Sequence, residues 1–212
     1  VVNSGDVVDY GFFNGKPVIL DKALADRAPE LRDVSVFTAV TVPPSPEVIK
    51  HEGSFIYIDW QWSKLTRMLH AFVQPTYYCP ILYHRGPFYY RELLTQDPNE
   101  NFTRDYRSVY YNDPSKKGTT KWIAMMQVGP MDNAGYFNLG PQNSETSAKI
   151  ENADIVLVEV NPNMPKCLGG NEESVHISRV DYIVEAPSDQ MLYDAPQVEP
   201  TDVEKQIAQN VM

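Results

Sequence analysis

Cysteine is nearly absent: Cys79 and Cys167 are the only two among 212 residues, and they lie far apart without metal-ligand spacing. They read as reduced thiols, so a cytosolic protein with no metal site is expected. Long apolar runs are missing too. No window reaches the roughly 18 residues of a membrane span, so no membrane partner is expected. The opening VVNSGDVVDY carries neither a basic stretch nor an apolar signal core, and nothing in it points to export. Positive charge is scarce. With 18 Lys and Arg against 28 Asp and Glu, the net charge is -10, which argues against nucleic acid as the partner. A small polyanion in a locally basic or amide-lined pocket is still allowed. There is no internal repeat and no low-complexity segment, and the NFT acceptor tripeptide at Asn101 is common by chance.

What is present is a core. At 42 % hydrophobic the chain can bury one large domain or two small ones. VVDYGFFN, VSVFTAVTV (34–42), SFIYIDW, YYCPILY, IAMMQV and DIVLVEVN read as strands, several apolar enough to be covered on both faces. Between them PVILDKALADRA, SKLTRMLHAFV and SETSAKIENA have helical spacing, with Ser63 opening the second and Ser144 or Thr146 the third. Strands alternating with such helices predict an α/β fold, an open, mainly parallel sheet with 34–42, 123–128 and 155–160 as inner strands. Residues 95–120 are a polar, turn-rich excursion. A polar joint then leads to TDVEKQIAQNVM, a helix with Thr201 as its cap and no stop signal, so a fragment of a longer chain is expected.

In such sheets ligands sit beyond the carboxyl ends of the strands. Those ends include Asn14-Gly15, the stretch from Gln127 to Gly135, and Glu159-Val160-Asn161. QVGPMDNAGYFNLG has little side-chain bulk, as a loop needs where a ligand approaches backbone. Asp132 fits an Asx-turn acceptor there. Glu159, an acid inside IVLVEVN, reads as a buried acid paired with backbone or Arg, or as an acid near the cleft.

SGDVVDYG, YYCPILY, QVGPMDNAGYFNLGP, VEVNPNMPKCLGG, VHISRVDYIVE and TDVEKQIAQNV together resemble, in order, the amino-terminal half of the acyl-CoA:acetate CoA-transferases. That family includes butyryl-CoA:acetate and 4-hydroxybutyrate CoA-transferases and acetyl-CoA hydrolases. The resemblance covers nearly all of the chain. It implies a CoA-transferase (NagB/RpiA-like) domain over residues 1–186. Residues 187–212 would then be a linker and first helix leading to an absent carboxyl-terminal half. It also implies a ping-pong reaction through a glutamyl-CoA thioester, with the glutamate in that other half, so no catalytic residue is assigned here. The implied partners are an acyl-CoA, a short carboxylic acid, the carboxyl-terminal half and further copies in a homo-oligomer. Coenzyme A enters as a substrate thioester, and no cofactor is implied.

Residues placed at the substrate cleft are Asn14, Gly15, Gly135, Tyr136, Asn138, His176 and Ser178. Alternation puts Tyr136 and Asn138 on one face of YFNLG, and His176, Ser178 and Val180 on one face of VHISRVDYIVE. A structural, hydrogen-bonded role for His176 is weighed beside the cleft role. The family often has a polar residue followed by Gly-Glu-Pro where this chain has Asn14-Gly15-Lys16-Pro17. Lys16 thus replaces an acid in a loop expected to line the acyl side, and the accepted carboxylic acid stays open.

Overall fold

A computed structural model of the chain describes residues 1–93, 115, 119–170, 172–194 and 196–212. Most of the excursion read at 95–120 lies outside these residues. The strands are β1 (Val7–Tyr10), β2 (Val34–Thr38), β3 (Phe55–Asp59), β4 (Tyr77–Tyr78), β5 (Trp122–Val128), β6 (Tyr136–Asn138), β7 (Ile155–Val160), β8 (Ser174–His176) and β9 (Tyr182–Glu185). The helices are α1 (Ile19–Ala25), α2 (Lys64–Phe72), the single turn α3 (Gly86–Phe88), α4 (Thr146–Asn152) and α5 (Asp202–Val211). Seven strands form one sheet in the order β4-β3-β2-β1-β5-β7-β9. Every pairing in it is parallel. The order reverses between β1 and β5, the switch point of a doubly wound sheet. β6 and β8 pair antiparallel as a small flap above the ends of β5 and β7.

Alternation along the strands makes two cores. Val8 and Tyr10 of β1, Ile123 and Met125 of β5, and Val34 and Val36 of β2 pack with Leu20 and Leu24 of α1 and Leu69 of α2. On the opposite face Ala124, Met126 and Val128 meet Ile150 of α4 and Phe137 of the flap. Val7, Phe37 and Trp122 pack there with Trp60, Tyr90 and Ala148. Among the described residues, no helix is long and apolar enough to cross a membrane. Neither cysteine is part of a disulfide.

Several elements are shorter than their apolar runs. The strand expected over 34–42 stops at Thr38, because the Asp59 carboxylate captures the amides of Val40 and Gln61, each at 3.0 Å. YYCPILY keeps only Tyr77–Tyr78 as strand, since Pro80 can give no ladder hydrogen bond. β1 ends at Gly11, where a Cβ would stand 2.2 Å from the Gly15 carbonyl oxygen. Only glycine permits that fold-back. Ser63 does cap α2, accepting from Thr66 N at 3.0 Å. Neither Ser144 nor Thr146 caps α4: Glu145 holds the cap position, without a side-chain hydrogen bond. VHISRVDYIVE is broken by a 3-10 turn at Ile177–Arg179, which removes the regular alternation expected of His176, Ser178 and Val180.

Candidate functional site

Over β1, β5 and β7 the carboxyl edge is filled with polar side chains. Gln127 and Glu159 are register partners on β5 and β7. Gln127 Nε2 donates to the carbonyls of Asn14 (3.0 Å) and Lys16 (2.7 Å). Its Oε1 accepts from Asn161 Nδ2 (2.8 Å) and Gln190 Nε2 (2.9 Å). That uses its full hydrogen-bonding capacity. The fully buried Glu159 carboxylate accepts from the main-chain amides of Val18, Ile19 and Leu20 at 2.8–3.0 Å. A carboxylate there complements the α1 dipole. Gln190 Nε2 closes the network with a second hydrogen bond to Glu159 Oε1 at 2.6 Å.

The segment 188–193 lies across this network like a strap. Asn163 Nδ2 donates to the carbonyls of Ser188 (2.9 Å) and Gln190 (3.1 Å). Asn14 grips Tyr193 from both sides: its Nδ2 donates to Tyr193 O at 2.8 Å and its Oδ1 accepts from Tyr193 N at 2.9 Å. Lys16 is buried, with Nζ donating to Pro44 O at 2.9 Å. Its burial holds the ammonium pKa below the ordinary lysine range, against the pull of Asp21, Glu159 and Glu47. The Lys16 side chain therefore faces inward.

Over β2, β3 and β4 the edge combines a buried carboxylate, Asp59, with an apolar wall beyond it. Phe13 (φ 48°) and Val40 (φ 50°), just beyond β1 and β2, both hold left-handed backbone. Such geometry costs on the order of 1–3 kcal/mol in a residue other than glycine. Asp59 sustains the Val40 turn, with Oδ2 accepting from Thr41 Oγ1 (2.9 Å) and Thr66 Oγ1 (2.5 Å). Trp60 follows Asp59. Its ring meets Phe12 (5.5 Å, 69°) and Tyr89 (5.0 Å, 85°) edge-on and stacks on Tyr90 (5.5 Å, 25°). Tyr90 in turn stacks on Trp122 and donates through its hydroxyl to Asp9 Oδ2 at 2.8 Å. Beside this wall opens a pocket of about 350 Å³, lined by Trp60, Ile81, Leu82, Phe88 and Tyr89 with Arg85 among its walls.

A buried ionic cluster lies beside β1, between the polar and the apolar parts of the edge. Lys149 Nζ is 2.9 Å from Asp9 Oδ1 and donates to Tyr10 O at 2.6 Å. It also stands 3.7 Å from the centre of the Phe12 ring. Glu145 lies 4.0 Å from the same ammonium. Burial pushes the Glu145 carboxyl up to about 7, with Lys149 opposing the shift.

The residues singled out in the sequence form two groups. Gly15 packs against Gln142, beside the strap held by Asn14. Gly135, Tyr136, His176 and Ser178 gather on the outer end of the flap. Gly135 has φ 85°, and its main chain turns toward His176. The Tyr136 and His176 rings lie 4.9 Å apart, and Ser178 Oγ is 2.8 Å from His176 Nδ1. Ser178 N also donates to that nitrogen at 3.2 Å, so His176 caps the 3-10 turn that follows it. Asn138 is buried, donating to Cys167 O and accepting from Gly140 N and Cys167 N, all at 2.9 Å. Tyr136 is exposed, so the two do not share an environment. Asp132 closes an Asx turn, with Oδ1 accepting from Ala134 N and Tyr136 N at 2.9 Å.

Asp9, Glu145, Lys149 and Gln190 escaped the sequence reading. Asp9 in the apolar run VVDY carried the same signal as Glu159. Lys149 reads as an ordinary solvent-facing residue of an amphipathic helix, and nothing local marks it as buried.

Residues 1–191 match the family described as acetyl-CoA hydrolase/transferase N-terminal domain. The chain is 37 % identical over 214 residues to the butyryl-CoA:acetate CoA-transferase of Anaerostipes caccae, covering 100 % of this chain and 42 % of that protein. It is 31 % identical over 221 residues to a probable butyrate:acetyl-CoA coenzyme A-transferase of Syntrophomonas wolfei, again covering 100 % and 42 %. The fold is shared with RipA from Yersinia pestis: TM-score 0.72 and 24 % identity, over 95 % of this chain and 43 % of that one. It is shared also with a 4-hydroxybutyrate CoA-transferase from Porphyromonas gingivalis, at TM-score 0.60 and 20 % identity over 92 % and 38 %. The chain thus spans 42 % of the length of these two curated relatives. From the match across 1–191 and these similarities over the whole of this chain, the chain belongs to the acetyl-CoA hydrolase/transferase family, where it corresponds to the N-terminal domain.

Proposed function

We propose that this chain is the amino-terminal half of an enzyme that moves CoA between a short-chain acyl-CoA, butyryl- or 4-hydroxybutyryl-CoA, and acetate. The observation that carries the reading is the 37 % identity, without loss of coverage of this chain, to a butyryl-CoA:acetate CoA-transferase. In this reading a glutamate of the other half attacks the thioester and forms an acyl-glutamyl anhydride with release of CoA thiolate. The thiolate then attacks the glutamyl carbonyl, gives a glutamyl-CoA thioester and frees the first carboxylate. The acceptor acid takes CoA by the same two steps in reverse. A carboxylate is a weak nucleophile, so the cleft must exclude water and stabilise the developing oxyanion.

This half supplies walls to that cleft. The Asn14–Gly15 loop and the flap residues Gly135, Tyr136, His176 and Ser178 form its rim, with Asn138 fastening the flap from behind. Conspicuous acids are already engaged: Glu159 is bound by main-chain amides and Gln190, and Asp132 by its own turn. Residues 1–212 alone are therefore expected to show no turnover of butyryl-CoA with acetate, whereas a protein carrying the carboxyl-terminal half does. Sustained turnover by residues 1–212 would contradict the placement of the nucleophile. Release of CoA by the longer protein without acetate, at the same rate, would assign it to hydrolysis instead.

A further inference from the structure

Ligands of a parallel sheet bind at its carboxyl edge, and here part of that edge is occupied by the chain itself. Gln190 and the main chain of Tyr193 take the polar groups offered by Asn14, Gln127 and Glu159. The ends of β3 and β4 carry a pocket instead. Its volume, about 350 Å³, falls at the small end of the range for ligand sites. Trp60, Ile81, Leu82, Phe88 and Tyr89 give it apolar walls, and Arg85 lies with its guanidinium 4.3 Å above the Phe88 ring. Trp60 is fixed by rings on three sides. A π-helical turn at Tyr89–Leu93 carries Tyr89 and Tyr90, which pack edge to face at 5.6 Å. Such walls recognise hydrocarbon by shape, and a single guanidinium suits one carboxylate or carbonyl end.

We infer that this pocket receives the hydrocarbon tail of a short, straight-chain carboxylate or acyl group and sets the preferred chain length. The identity of that ligand rests on the CoA-transfer reading above. Ile81, half-buried, and Leu82, exposed, are the positions that set pocket depth, because the aromatic walls Trp60 and Tyr89 are held by ring contacts to each other and to Tyr90.

Two measurements test the inference. Fluorine NMR of the 212-residue chain with trifluorobutyrate should show a saturable shift, abolished by Leu82→Trp, which fills the pocket from an exposed position. In the CoA-transferring protein, Leu82→Trp should lower kcat/KM for butyryl-CoA relative to acetyl-CoA by about fourfold for each methylene excluded, about fifteenfold in all. Ile81→Ala should move the preference toward hexanoyl-CoA. No saturable shift, or chain-length ratios within about twofold of wild type in both variants, would overturn the inference. Trifluorobutyrate binding that Leu82→Trp removes, in a protein that transfers no CoA, would uphold the pocket and reject the function. CoA transfer with unmoved ratios would do the reverse.

Discussion

Over β1, β5 and β7 the carboxyl edge is stitched by amides, a buried carboxylate and a strap of the chain. Over β2, β3 and β4 it ends in the strained turn at Val40 and an apolar pocket. Both regions lie where a parallel sheet offers a site. Position alone therefore does not locate the ligand. The polar half has its donors and acceptors matched to one another, and a ligand entering there must break hydrogen bonds that cost about 1–3 kcal/mol each when left unmade. The apolar half has surface that a hydrocarbon chain can cover without such a loss. Lys149, beneath Phe12, sits on the seam.

The largest expected effect comes from breaking that seam. Lys149→Met leaves the buried carboxylates Asp9 and Glu145 without their shared cation and should destabilise the fold by about 3–5 kcal/mol, read by urea unfolding. A destabilisation below about 1 kcal/mol would mean the cluster is already neutral or hydrated. Next in size, Glu159→Gln weakens the charge-assisted bonds to the first turn of α1 and should cost about 2 kcal/mol. It should leave the acyl chain-length ratio unchanged. If that ratio moves, the polar half contacts the acyl chain and the division of the edge fails.

Glu145 gives the seam a pH signature. Its folded pKa is raised to about 7, above the ordinary glutamate value, so from about pH 4.5 to 7 the folded chain retains a proton that the unfolded chain has released. Stability therefore falls as pH rises through this window, by at most about 1.4 kcal/mol per pH unit from this group. The difference in unfolding free energy between wild type and Glu145→Gln, measured against pH, should carry that slope. A flat difference would contradict it.

The smallest of these effects concerns the flap. Gly135→Val places a side chain at φ 85°, with a Cβ 3.1 Å from His176 Nε2. The cost should be about 1–2 kcal/mol of stability with no change in chain-length preference. The neighbours of Gly135 belong to its own domain, which makes stability the first property at risk.

How much of this was legible in the sequence differs between elements. The inner strands 123–128 and 155–160 were, because apolar runs covered on both faces have few other uses. Ser63 and Thr201 announced their helices through local hydrogen bonding, and both act as caps. The early end of β2 was not legible, since it depends on Asp59, which approaches only when β3 pairs beside it. The strap was hidden for the same reason: Gln190 in a polar, proline-bearing stretch reads as linker until Gln127 and Glu159 come under it. In the candidate site, Asn14 and Asn138 were marked by position, but the partners of their amides, Tyr193 and Cys167, come from 179 and 29 residues away.

The division of the edge is tested most directly by amide hydrogen exchange of the 212-residue chain with and without saturating butyrate. Residues 79–89 should gain protection while 187–194 exchange at the same rate in both samples. Protection or loosening confined to 187–194, with 79–89 unaffected, would contradict the account and place the ligand under the strap.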